Sequence, residues 1–140
     1  MDSKAPFGLH KIEHIGMAVL DLDAAIATYT SLFGSPPYKQ ETVASQGVHT
    51  VFFKMGESKI ELLAATDPQS PIAKFISKKG PGMHHIAYAV KDIEACIAHF
   101  KTQGFTPLSQ APVPGADAKK IVFLHPKDTH GCLVELCEDA

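Results

Sequence analysis

The chain has little of what would tie it to a membrane, a nucleic acid or an oxidising compartment. No apolar run approaches the roughly 20 residues that a membrane-spanning helix needs. There is no basic excess: 13 Lys and Arg stand against 15 Asp and Glu, for a net charge of −2. A polyanion or an anionic membrane surface would meet no electrostatic footprint here. The cysteines, Cys96, Cys132 and Cys137, are odd in number and show no Cys-x-x-Cys spacing. That pattern argues against a disulfide framework and points to reduced thiols in a cytoplasm. Residues 1–10 hold one acid, one base and no apolar segment, which reads as neither a secretory signal nor an Arg-rich transit peptide.

What remains is the composition of an ordinary globular protein, 45% hydrophobic and 20% charged. Its 140 residues suit a single domain over 1–140. Within them lies an internal repeat. His14-Ile15-Gly16-Met17-Ala18-Val19 is echoed by His85-Ile86-Ala87-Tyr88-Ala89-Val90, at an offset of 71 (85 − 14). Asp21, Ala24, Ile26 and Ala27 answer Asp92, Ala95, Ile97 and Ala98 at the same offset. Later, Ile60-Glu61-Leu62 answers Val134-Glu135-Leu136 at an offset of 74 (135 − 61). The chain therefore reads as two copies of one unit, each opening on a histidine and closing on a glutamate. A unit of roughly 70 residues is marginal alone, which favours a shared interior. Module one covers about 10–65, a connection 66–81, and module two about 82–138.

Each module reads as β-α-β-β-β. Residues 10–20 alternate as a strand, and Asp21 is a helix N-cap before Leu22, Ile26, Tyr29 and Phe33 at helical spacing, with Gly34 as terminator. A weak strand over 38–44, a stronger one over 48–55 and a third over 58–64 follow. In the connection, Ser70-Pro71 reads as the N-cap and first residue of a short helix. The second module repeats the plan: a strand over 83–90, a helix capped by Asp92 and ended by Gly104, strands over 105–110 and 119–124, and a last strand over 132–137. Residues 111–118 read as a Pro/Gly loop. Helices packed on one side of a sheet make the fold class α+β.

The period of two then separates the strand faces. The His14 face carries Gly16 and Ala18; the His85 face carries Ala87 and Ala89. The bulky residues take the opposite faces. A face that keeps a histidine and then only small residues reads as a pocket floor. Glu61 and Glu135 each sit mid-strand between aliphatic neighbours, where a carboxylate is costly unless paired, hydrogen-bonded or metal-bound. Singly, each of these four residues is more often structural than functional. The duplication of the His…Glu pair raises the set above that background. If the halves pair by pseudo-twofold symmetry, His14, Glu61, His85 and Glu135 converge as two imidazoles and two carboxylates. Such a donor set suits Co2+, Ni2+, Mn2+, Fe2+ or Zn2+; the lack of thiolates argues against a closed structural zinc site. His84 lies on the bulky face and reads as structural. His10, His49, His99 and His130 have no repeat partner and read as surface residues.

These residues resemble the vicinal oxygen chelate superfamily, in which a duplicated βαβββ module surrounds a divalent metal. Within it, the chain is similar nearly end to end to the methylmalonyl-CoA epimerases. The segments Ser70-Pro-Ile-Ala-Lys-Phe75, Phe123-Leu-His-Pro-Lys-Asp128 and Gly131-Cys-Leu-Val-Glu-Leu136 make that likeness specific. The resemblance implies two modules related by pseudo-twofold symmetry, their sheets forming an open barrel-like cleft with helices outside. It implies the ligands His14, Glu61, His85 and Glu135, an acyl-CoA substrate, and interconversion of its (R) and (S) forms through α-proton abstraction and return. It implies no nucleic-acid or membrane partner, and dimers are common on this fold. Glu135 is the first candidate for one acid/base role. Some relatives carry a glutamate where this chain has Thr50, so Lys59, on the face of Glu61, is the candidate for the second. Ser70, at a helix N-terminus, is a candidate for holding the substrate carboxylate, although a plain N-cap is the simpler reading. The rivals are a glyoxalase-type isomerase of a thiol hemithioacetal, an extradiol-type dioxygenase, and a metal-free small-molecule-binding module on the same fold.

Overall fold

The computed structural model describes residues 8–139; most of the segment read above as lacking a leader lies outside that range. The element order is β1 (Lys11–Ala18), α1 (Leu22–Phe33), β2 (Lys39–Val43), β3 (Val48–Met55), β4 (Ser58–Ala65), α2 (Pro71–Lys79), β5 (Gly82–Ala89), α3 (Ile93–Thr102), β6 (Val113–Pro114), β7 (Lys119–Leu124) and β8 (Val134–Asp139). Each repeat is thus β-α-β-β-β, and the fold is α+β. Among the described residues no helix is long and apolar enough to cross a membrane.

Local chemistry sets the helix ends. The Asp21 side chain accepts the Ala24 N–H, and Asp92 does the same for Ala95. Ser70 accepts the Ala73 N–H, with Pro71 as the first helical residue. These caps satisfy donors that a helix start leaves without intrahelical partners. Gly34 ends α1 in the left-handed region at φ 77°, where its N–H meets the Thr30 carbonyl.

The chain divides into two compact units whose boundaries fall at the paired histidines. One holds residues 1–14 and 85–140, the other 15–84. The division therefore cuts through β1 and β5 and differs from the sequence repeats, which begin a few residues before each histidine. In the unit of 15–84 the strands run β2-β3-β4-β1, with β2, β3 and β4 antiparallel neighbours. α1 packs one face, where Val51, Phe53 and Leu62 meet Leu22, Ile26, Tyr29 and Phe33. In the other unit β5 lies parallel to β8, and β8 antiparallel to β7. There α3 places Ile93, Cys96 and Ile97 against Val122, Leu124 and Leu136. The repeat survives in the backbone: Val19 N–H donates to the Leu63 carbonyl, and Val90 N–H to that of Cys137.

Three expectations are corrected. Strand β6 lies inside residues 111–118, read above as a loop, and pairs antiparallel with β7. Residues 105–110 form no strand; a single bridge joins Pro107 to Leu124. The Leu108 N–H reaches the Phe123 carbonyl and the His125 N–H the Thr106 carbonyl, but Pro107 has no N–H to continue a ladder. The small residues of the histidine faces also leave no open floor. Ala87 is fully buried in a cluster with Ile121 and Cys137, and Ala18 is packed with Val48, Leu63 and Ile72. Larger side chains from neighbouring strands on the same face close over them.

Candidate metal centre

His14 and His85 stand on β1 and β5, and Glu135 on β8. In β1 burial falls on His14, Gly16 and Ala18, the alternation that one covered sheet face imposes, and in addition on Glu13. In β5 it falls on His85, Ala87 and Ala89. Parallel pairing puts Glu135 opposite Ala87, two residues beyond His85 on the same face. The three side chains then meet. His14 Nε2 lies 2.9 Å from His85 Nε2. Glu135 Oε1 lies 3.2 Å from His85 Nε2 and 3.6 Å from His14 Nε2. All three side chains are buried. The His85 ring also stands edge-on to Phe123, 5.6 Å between centroids, so the imidazole has little room to rotate.

Taking Glu135 into the interior would by itself raise its carboxyl pKa. The two imidazoles beside it, His14 and His85, outweigh burial and lower it to about 2. Glu135 therefore keeps its negative charge throughout the neutral range.

The tautomers follow from the partners. His14 Nδ1 lies 2.7 Å from a carboxylate oxygen of Glu13. An ionised carboxylate accepts and does not donate, so the proton belongs on Nδ1 and Nε2 presents its lone pair. Two imidazole nitrogens and one carboxylate oxygen are a donor set that a divalent ion of intermediate softness prefers. Ligands about 2.1 Å from a shared octahedral ion stand about 3 Å apart, and the observed separations are of that size. The residues fit the group.

Glu61, the other residue of the duplicated pair, lies on β4 in the unit of 15–84. It is buried, opposite Phe52 on β3. Lys59 shares its face two residues earlier and pairs in register with Lys54. Ser70 is buried and caps α2. Its Cβ is also approached by the backbone of Gly47, where an added Cβ would lie 2.7 Å away. His84 packs its ring against Phe75 of α2, 4.9 Å between centroids, in keeping with a structural role. His10 and His130 are exposed, His99 is half-buried against Phe100, and His49 bonds to Thr42 and Gln40 at the surface.

Two residues beside His14 are not marked out by the repeat. Glu13 is buried on β1, and Cys137, at 1% exposure on β8, forms a compact group with Glu13 and His14. Glu13 carries the same signal as Glu61 and Glu135, an acid inside an apolar strand. The repeat hides it, because its counterpart is a histidine, His84.

Residues 13–123 match the Glyoxalase/Bleomycin resistance protein/Dioxygenase superfamily. The chain is 41% identical over 128 residues to an ethylmalonyl-CoA/methylmalonyl-CoA epimerase of Cereibacter sphaeroides, covering 90% of this chain and 96% of that one. It is 39% identical over 131 residues to the human mitochondrial methylmalonyl-CoA epimerase, covering 93% of this chain and 74% of that one. The fold superposes with a TM-score of 0.91 on a Streptomyces coelicolor methylmalonyl-CoA epimerase variant in complex with 2-nitronate-propionyl-CoA. That likeness is 37% identical and covers 94% of this chain and 96% of the other.

Proposed function

The chain belongs to the glyoxalase/bleomycin resistance protein/dioxygenase superfamily, and from that premise we propose that it is an isomerase that interconverts (R)- and (S)-methylmalonyl-CoA. The observation that carries this reading is the buried group of His14, His85 and Glu135 in a chain alike over nearly its whole length to epimerases of that substrate.

His14, His85 and Glu135 would hold a divalent cation, with Co2+ the first choice among ions that suit this donor set. Glu61 is proposed as the fourth ligand on the ground of the sequence repeat. When bound, the ion supplies Lewis-acid charge to the thioester carbonyl and carboxylate oxygens of the substrate, so that negative charge developing beside the α-carbon is stabilised.

The protein's part is then to move one proton. The α-proton leaves one face of the α-carbon and a proton returns to the other, which calls for two groups able to hold it. Lys59 Nζ is proposed as one and a Glu135 carboxylate oxygen as the other. With its pKa held at about 2 by the histidines, Glu135 is a weak base. The ligand role remains the stronger of its two. Ser70 is proposed to face the substrate carboxylate through whatever donor capacity its cap bond leaves. The substrate partner is a small acyl-CoA.

The test is incubation with methylmalonyl-CoA in D2O. Deuterium should enter the α-position, stop on treatment with a chelator and return with added Co2+. A protein that takes up no deuterium with Co2+ present is not this epimerase. One that binds no Co2+ at all is better read as a metal-free binding module.

A further inference from the structure

We infer that Glu13 is a positioning residue for His14, holding the imidazole in one tautomer and one rotation so that its Nε2 lone pair faces His85 and Glu135. The inference rests on the reading of His14 as a metal ligand and concerns what makes it a good one.

Glu13 is 4% exposed, and its Oε1 lies 2.7 Å from His14 Nδ1. Both side chains are 6% exposed. A carboxylate inside a strand, between Ile12 and His14, is costly unless it receives a charge-assisted hydrogen bond. The imidazole N–H supplies one. In return the carboxylate keeps the proton off Nε2, stops the ring turning about Cβ–Cγ, and raises the electron density of the nitrogen that faces the group.

The repeat places an acid before the histidine in one half only. Position 13 corresponds to position 84 at the offset that relates His14 to His85 (84 − 13 = 71). In the second half that position is His84, whose ring packs on Phe75. The two imidazoles that meet at 2.9 Å are thus unequal. His14 carries an acidic neighbour on its far nitrogen, placed there by its own strand, whereas the residue before His85 is a second histidine and not an acid. The fold uses one symmetric pair of ligand positions but stiffens and activates His14 through a residue outside the duplicated set.

The test uses full-length protein labelled with 15N-histidine and freed of metal by chelation, together with Glu13→Gln and Glu13→Leu. Two-bond 1H–15N ring correlations report the tautomer of His14, and Co2+ titration reports affinity. Wild type should show His14 protonated on Nδ1. Glu13→Gln, whose amide oxygen still accepts, should keep that tautomer with its ring N–H resonance moved upfield, and should weaken Co2+ binding a few-fold. Glu13→Leu should lose the tautomer preference and weaken Co2+ binding about 10–100-fold, the usual cost of losing such a partner. A merely structural Glu13 would lower the melting temperature and leave both readouts unchanged, which overturns the inference. If Glu13→Leu fails to fold, Glu13→Gln decides: an unmoved N–H resonance with unchanged affinity overturns it as well. A wild type with no affinity for Co2+ sinks the ligand reading of His14; a wild type that binds Co2+, paired with an indifferent Glu13, sinks this inference alone.

Discussion

His14 Nε2 and His85 Nε2 lie 2.9 Å apart although 71 residues separate them in the chain. Two neutral imidazoles so close can share one hydrogen, and with the Nδ1 proton of His14 turned toward Glu13 that hydrogen comes from His85. One unit repeated in sequence thus brings two like side chains to one point.

The two adjacent histidines should separate cleanly on substitution. His85→Ala removes a member of the cluster and is expected to lower Co2+ affinity by at least 100-fold and to abolish α-proton exchange. His84→Ala removes a ring that packs on Phe75. It should cost about 1 kcal/mol of stability and leave Co2+ affinity intact. Titration calorimetry with Co2+ and denaturant unfolding of both variants decide the matter. Equal loss of metal affinity in the two would mean that His84 takes part in binding.

Glu135 gives the metal-free protein an acid-sensitive term. Its pKa falls from an ordinary 4.5 to about 2 in the fold. A folded value below the unfolded one means stability fully present above about 4.5 and lost as the pH falls through about 2. The shift is worth on the order of 3 kcal/mol. Urea unfolding of chelated protein between pH 2 and pH 5 should show this loss, and Glu135→Gln should flatten that part of the curve. An identical slope in the variant would refute the assignment.

Lys59→Met tests the second proton carrier. The substitution keeps much of the aliphatic stem and removes the amine. Deuterium uptake should fall by 100-fold or more, within the range that a general acid or base contributes, while Co2+ affinity should hold. Exchange at the wild-type rate from both (R) and (S) substrate would remove Lys59 from the reaction.

Gly47 and Ser70 should behave as a packed pair. Gly47 has φ 63°, and a Cβ there would lie 2.7 Å from Ser70 Cβ. Gly47→Ala therefore meets backbone strain and a steric clash, and should cost roughly 1–3 kcal/mol. Ser70→Ala loses the bond from the Ala73 N–H and should cost about 1 kcal/mol. Thermal melts measure both. A raised KM for the acyl-CoA in Ser70→Ala, at unchanged kcat, would add a substrate contact to the cap.

Features set within a few residues could be read directly from the chain. Asp21, Ser70 and Asp92 cap their helices as expected, because an N-cap bond spans three residues and needs no distant partner. The repeat singled out His14, Glu61, His85 and Glu135, and the structure groups His14, His85 and Glu135. The strand expected over 105–110 failed for a reason visible only in the pairing: Pro107 stands opposite Leu124 and cannot donate. The small-residue faces misled in a similar way. Alternation shows which side a residue points to, but what covers that side comes from other strands, here Ile121 and Cys137 over Ala87.

The sequence alone determined the two-module plan, the helix ends and the duplicated His…Glu pair, since periodicity, caps and repeats are written in consecutive residues. Tertiary structure decided the rest of the centre. The parallel pairing of β5 with β8 set Glu135 opposite Ala87. The enclosure of β1 turned Glu13 from a strand acid into the partner of His14. Register and burial depend on segments tens of residues apart, and those distances close only when the chain folds.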